Sequence, residues 1–277
     1  MTRPPRISLD AMGGDNAPDI VVQGADKALA AHPGISLVFV GDERRVRPLL
    51  ERSDYLRSAD ILHTEEEVAA EAKPSQALRA GKQTSMWKAI ELVANGEADA
   101  IVSAGNTGAL MAMSKLQLRM IEGVTRPAIA GFFPNAQGQS CVLDLGANIE
   151  CDAENLIQFA IMGRAFYRDI HGVSSPSVGL LNVGEEDQKG FDYLREAAAV
   201  LSTDALNLNY RGFVEGSDIA AGTVDVVVTD GFTGNIALKT TEGAIRLMKE
   251  FIGDALGVAA GECGRGVIFT TFQIRFG

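Results

Sequence analysis

The stretch Asp99-Ala-Ile-Val-Ser-Ala-Gly105-Asn106-Thr107-Gly108-Ala-Leu110 can be laid without a gap over Asp225-Val-Val-Val-Thr-Asp-Gly231-Phe232-Thr233-Gly234-Asn235-Ile236. Each copy reads Asp, three apolar residues, Ser or Thr, a free position, Gly-x-Thr-Gly, and then a run of helical composition. A short apolar run passing through glycines into a helix is the repeating unit of a parallel α/β sheet. Glycines allow tight turns and close backbone approach, and free amides at a helix N-terminus attract an anion. The threonine hydroxyls add donors that a phosphate can use. One Gly-x-Thr-Gly alone is as readily a plain strand-to-helix turn; two matched copies favour an anion site, and both are expected to face one anion.

Working outward, the same alternation recurs along the chain. Ile7–Asp10 reads as the first strand, Asp19–Ala31 as a helix with Pro18 in its first turn, and Leu37–Val40 as the next strand. Ser85–Asn95 reads as a helix closed by Gly96, Asp99–Ser103 as a strand, and Ala109–Ile121 as a helix. Ile129–Phe133 and Cys141–Leu145 form a hairpin, and Asp152 caps a helix reaching Ile170. Val178–Val183, Phe191–Ser202, Val224–Thr229 and Ile236–Leu256 continue the series as strand, helix, strand and helix. No linker-like segment interrupts it, so residues 1–256 are expected to form one α/β catalytic domain, with an excursion over 42–95. Ligands of such folds collect at the carboxyl ends of strands. Two more loops stand there: Asp10-Ala-Met-Gly13-Gly14-Asp15-Asn-Ala-Pro18 and Leu143-Asp144-Leu-Gly146-Ala-Asn148. The plain reading of Asp15 or Asn16 is a cap for the next helix.

Bulk properties exclude several function classes. The 277 residues carry a formal net charge of −11, which opposes non-specific nucleic-acid binding. Three cysteines and three histidines, all scattered, supply neither a disulfide framework nor a zinc cluster, and a reduced cytoplasmic compartment is the simplest reading. No signal peptide or membrane-length apolar run is legible. Neither Gly-x-Gly-x-x-Gly nor a Walker motif occurs, which argues against tight nucleotide binding. Lys73, Ser75, Arg79, Lys82, Thr84 and Ser85 form a basic, hydroxyl-rich stretch before a helix, most simply a solvated surface. Lys189, in Gly184-Glu-Glu-Asp-Gln-Lys189-Gly190, and Lys239 lie beside strand-end loops and could pair with phosphate.

Taken in order, Asp10–Pro18, Lys73–Arg79 with Thr84–Met86, Ser103–Met111, Leu143–Asn148, Val214–Asp218 and Val228–Gly243 resemble the phosphate acyltransferase family of bacterial phospholipid synthesis. The resemblance spans the chain to about Gly243. It implies a three-layer α/β/α sandwich with a mainly parallel sheet, related to isopropylmalate dehydrogenase and phosphotransacetylase. It also implies a homodimer loosely associated with the inner face of the membrane, acyl carrier protein as donor, and a membrane glycerol-phosphate acyltransferase as recipient of the product. Asn182–Gly190 departs somewhat from the family form while keeping Glu185, Glu186, Lys189 and Gly190. Residues 257–277 show no resemblance and are read as a truncated or divergent tail, with Val267–Ile274 apolar and β-prone.

The implied reaction is thioester phosphorolysis. Phosphate is already anionic, so positioning and oxyanion stabilisation replace a nucleophilic side chain, and no cofactor or metal is called for. The residues assigned to catalysis are Asn106, Thr107 and Asn235, with Lys189 and Lys239 for charge compensation. Those assigned to substrate binding are Asp10, Gly13, Gly14, Asp15, Gly105, Gly108, Asn148, Thr233 and Gly234. A carrier protein, being acidic, is expected to dock on Arg44, Arg45, Arg47 and Arg52, or on Arg79, Lys82 and Lys88. The alternatives are a dehydrogenase on a related fold and a non-catalytic phosphate or acyl binder.

Overall fold

The computed structural model describes residues 3–256, whose contacts fall into two compact units that divide between Glu122 and Gly123. The tail expectations for 257–277 lie outside the described residues. The first unit contains, in chain order, β1 (Arg6–Asp10), α1 (Asp19–Ala31), β2 (Ser36–Gly41), α2 (Glu43–Leu50), β3 (Asp60–His63), α3 (Pro74–Ala80), α4 (Ser85–Ala94), β4 (Ala100–Val102) and α5 (Thr107–Leu118). Its strands run in the order β3-β2-β1-β4, all parallel, with Ile7 opposite Leu37 on one side and Ala100 on the other. Burial on both faces explains the unbroken apolar run of β2, Leu37 to Val40. Leu9, Leu37 and Phe39 pack with Val22, Val46 and Leu50 of α1 and α2. On α3, α4 and α5, Ala77, Met86, Trp87, Ile90, Ala109 and Met113 form a second cluster.

The second unit contains β5 (Ala130–Asn135), β6 (Gly138–Leu143), α6 (Ala153–His171), β7 (Ser177–Leu181), α7 (Asp192–Leu201), β8 (Asn209–Val214), α8 (Gly216–Ala221), β9 (Val226–Val228) and α9 (Gly231–Leu256). The sheet order is β5-β6-β9-β7-β8, parallel except for the β5–β6 hairpin. That hairpin runs further than the sequence suggests: Pro134 pairs with Gln139 and Asn135 with Gly138. Asp152 caps α6 by accepting from the Asn155 amide at 2.8 Å, and Gly172 closes the helix with φ of 69°. Each unit thus layers helices on a mainly parallel sheet, the α/β sandwich expected.

Several elements differ from expectation. Residues 74–80, read as a stretch preceding a helix, are themselves helical, with proline in the first turn. Neither Asp15 nor Asn16 caps α1; the cap position is Pro18, with no side-chain cap bond. Helix α9 begins five residues before Ile236, and α5 begins two residues before Ala109. Strand β8 and helix α8 had no clear sequence signal, because Asn209–Val214 is interrupted by Arg211 and Gly212.

Candidate functional site

In the first unit the loop after β1 and the loop after β4 are built around one carboxylate. Asp10 is buried; its Oδ1 accepts from the Ser85 hydroxyl at 2.6 Å and its Oδ2 from the Ser103 hydroxyl at 2.7 Å. The Ser103 oxygen in turn accepts from the Gly105 amide at 3.1 Å. Burial pushes the Asp10 carboxyl above its usual range, against the opposing pull of the two serine hydrogen bonds. Gly13 is required by this packing: a Cβ there would sit 2.5 Å from Asp10 Oδ2 and 2.9 Å from the Gly105 amide nitrogen. Gly14 adopts φ of 105°, which favours glycine on backbone grounds. Asp10 and Gly13 therefore shape the loop, while Asp15 projects from its exposed side.

Asn106 is the N-cap of α5. Its Oδ1 accepts from the Ala109 amide at 2.9 Å, and its Nδ2 donates to the carbonyls of Ala70 at 2.7 Å and Ala72 at 3.0 Å. Both ends of the amide are thus engaged in holding the helix start against the 70–72 segment. The Thr107 and Gly108 amides, by contrast, have no protein acceptor among the described residues, and the Thr107 side chain is exposed. Two open donors and an exposed hydroxyl at a positive helix end can hold an anion.

The second copy of the motif folds differently. Asp230, at its free position, accepts from the Thr233 amide and the Thr233 hydroxyl, each at 2.8 Å. The helix therefore starts at Gly231, two aligned positions earlier than in the first copy. The Gly231 amide donates to the Asn148 carbonyl at 2.8 Å, and the Gly234 amide to the Asp230 carbonyl at 2.9 Å. Thr233 and Gly234 thus have their donors committed within the protein. Gly231 and Gly234 are small for packing reasons, since a Cβ on either would collide with the backbone of the Asp144–Asn148 loop. Asn235 is exposed on the first turns of α9.

That loop is organised by Asp144, fully buried and not singled out for this role from sequence. Its carboxylate accepts from the amides of Ile129, Gly146, Ala147 and Asn148 and from the Asn148 side chain. Asn148 is itself buried and also donates to the Pro127 carbonyl at 2.7 Å. The signal available was Asp-x-Gly-x-Asn, a carboxylate followed by amides able to turn back onto it.

The two lysines assigned to charge compensation are both paired. Lys189 Nζ lies 2.7 Å from Glu186 and Lys239 Nζ lies 2.9 Å from Glu242, all on accessible surface. Asn182 Nδ2 donates to the Lys189 carbonyl at 3.1 Å, stitching the Asn182–Gly190 loop closed. Cys151, close to the Asn148 carbonyl, has its thiol pushed up to about 11 by burial, so it stays protonated and is a poor nucleophile near neutral pH. Tyr193 donates weakly to Asp230 at 3.5 Å, and burial with that neighbour raises its hydroxyl to about 12.

Parallel-sheet units with glycine loops leading into helix ends define the class: an α/β protein with its loops at the carboxyl ends of the strands. The fold is similar to a phosphotransacetylase of Staphylococcus aureus, with a TM-score of 0.63 at 19% identity over 87% of this chain and 82% of that one. It is also similar to a branched-chain phosphotransacylase of Enterococcus faecalis, with a TM-score of 0.57 at 17% identity over 85% and 83%. Residues 5–261 match the family model described as "Fatty acid synthesis protein". The phosphate acyltransferase of Rhodospirillum centenum is 59% identical over 89% of this chain and 70% of its own, and that of Paramagnetospirillum magneticum 56% identical over the same shares. The chain belongs to the phosphate acyltransferase family.

Proposed function

We propose that this chain transfers an acyl group from acyl carrier protein to orthophosphate, in the service of phospholipid synthesis. A phosphate oxygen attacks the thioester carbonyl, the resulting tetrahedral oxyanion collapses, the C–S bond breaks, and the carrier leaves as a thiol after taking up a proton. The products are an acyl phosphate and the free carrier. What carries this reading is the identity of 59% across 89% of the chain to a phosphate acyltransferase. The local chemistry supports it. The open Thr107 and Gly108 amides and the Thr107 hydroxyl suit an anion, and the nucleophile is the phosphate itself.

In this reading Asn106, Asp10 and Gly13 position that helix end, and Gly14, Asp15 and Gly105 complete the rim of its loops. In the second unit Asn235 offers the side-chain amide left free to donate, and Asn148, Thr233 and Gly234 hold the loop that presents it. Lys189 and Lys239 compensate charge by exchanging their carboxylate partners for phosphate. A homodimer in loose contact with the inner face of the membrane would hand the acyl phosphate to a membrane glycerol-phosphate acyltransferase. Among the described residues no helix is long and apolar enough to cross a membrane.

Trapping with hydroxylamine tests the product. The protein, an acyl carrier thioester and orthophosphate should give acyl hydroxamate in step with thiol release, both well above the direct aminolysis of the thioester seen when orthophosphate is left out. Thiol release with free fatty acid as the only acyl product would make the chain a hydrolase instead.

A further inference from the structure

We infer that the acidic carrier docks on the layer formed by α3, α4 and α5, and not on the arginine-rich helix α2. The inference rests on the proposed acyl transfer and names the partner surface for it.

The chain is acidic overall, yet residues 72–90 and 100–121 together hold six Lys and Arg and no Asp or Glu. These segments hold α3, α5 and the first six residues of α4, whose last turn adds one exposed acid, Glu91, and the three helices pack together through Ala77, Met86, Trp87, Ile90, Ala109 and Met113. Gln117 of α5 donates to the Trp87 carbonyl at 3.1 Å, and the Pro74 ring stands over Gly108, 3.1 Å from where a Cβ would be. Among the described residues, Lys73, Arg79, Lys82, Lys88, Lys115 and Arg119 have no carboxylate within ion-pair distance. Leu116, 61% exposed, stands between Lys115 and Arg119 in the chain, an apolar contact framed by cations. The same layer carries the open amides of the α5 N-terminus, so a carrier bound here would bring its thioester arm to the proposed anion site.

Helix α2 is basic in sequence and largely neutralised in structure. Arg44 pairs with Asp42 and Glu65, Arg45 with Glu67 at 3.6 Å and Arg47 with Glu43 at 2.9 Å. An acidic partner there would have to displace carboxylates already in place. On the α3–α5 layer it meets uncompensated charge, the condition for electrostatic steering and salt-sensitive association.

The test compares Arg79→Glu/Lys82→Glu/Lys88→Glu with Arg44→Glu/Arg45→Glu, using acyl carrier protein and acyl pantetheine as thioester donors at low and high salt. The first variant should raise the KM for the carrier by about tenfold or more at low salt and lose most of its salt dependence. Its turnover of acyl pantetheine should match the parent, and the α2 variant should keep its carrier KM. The milder Lys82→Gln and Lys88→Gln should shift the KM in the same direction by less. An unchanged carrier KM overturns the inference, and so does an equal loss with both donors, which would put these cations in the reaction site. Loss of binding to vesicles of anionic phospholipid with an unchanged carrier KM would make the layer a membrane surface instead. If the parent protein phosphorolyses neither donor, the acyl-transfer reading itself fails.

Discussion

Asp10 shows how much of the first loop hangs on a single carboxylate. It is buried, and two serine hydroxyls from the starts of α4 and of the loop after β4 converge on it. Because burial raises its folded pKa above the ordinary 3.8, the native state holds the proton more tightly than the unfolded chain does. Its contribution to stability is therefore fully present below that value and is lost as pH rises through the raised folded pKa. Asp10→Asn should flatten this part of the stability–pH curve, read as urea midpoints from about pH 4 upward; parallel curves for the two proteins would contradict the assignment. The two threonines of the matched motifs should separate in the same way, by their partners. Thr233→Val removes a hydroxyl bond to a carboxylate and should lower stability by about 1–2 kcal/mol. Thr107→Val removes an exposed hydroxyl and should leave the thermal midpoint in place while raising the KM for phosphate by roughly ten- to a hundredfold.

Helix α9 carries its own internal control. Gly234 sits where a Cβ would strike the Asp144 carbonyl, whereas Gly243, further along the helix, has nothing near. Gly234→Ala should destabilise by about 1–3 kcal/mol through overpacking, and Gly243→Ala should stabilise by about 0.5–1 kcal/mol through helix propensity. Thermal or urea midpoints of the two variants moving the same way would show that the loop around Asp144 does not constrain the helix start. The same helix marks the limit of what the sequence discloses. Matching the two motifs located both strand-to-helix turns, because β-branched runs, glycines and threonines are local signals. It did not show that the helices begin at different aligned positions. That difference lies in the free position, Ala104 in one copy and Asp230 in the other, and an aspartate three residues before Thr233 is a strong N-cap. Residue spacing likewise brought Asp10, Asn106 and Asn148 to notice. Their partners, Ser85, Ser103, Ala70 and Pro127, are set by long-range packing and were not legible. Position beside strand-end loops singles out Lys189 and Lys239 as cations, but which carboxylate each meets depends on loop closure and helix register.

At the scale of the whole molecule, the charge balance and the loops lead to one chemical picture. An acidic chain keeps a helical layer with a single acid, Glu91, around a helix end with open amides, and the acyl donor of the proposed reaction is an acidic protein. Strongly shifted thiols fit the same picture. Burial holds Cys141 near 12 and Cys151 near 11, so the rate should show no step from the ionisation of these two thiols between about pH 6 and 9. Alkylation at pH 7.5 of protein carrying Cys263→Ser should leave turnover unchanged; rapid inactivation traced to Cys151 would contradict this. The central claim is that orthophosphate is the acyl acceptor. Its most direct test is the rate of thiol release from acyl carrier protein as a function of phosphate concentration. The account predicts no release without phosphate, saturation as phosphate is raised, and a right-shifted curve for Thr107→Val; release at the same rate with and without phosphate would contradict it.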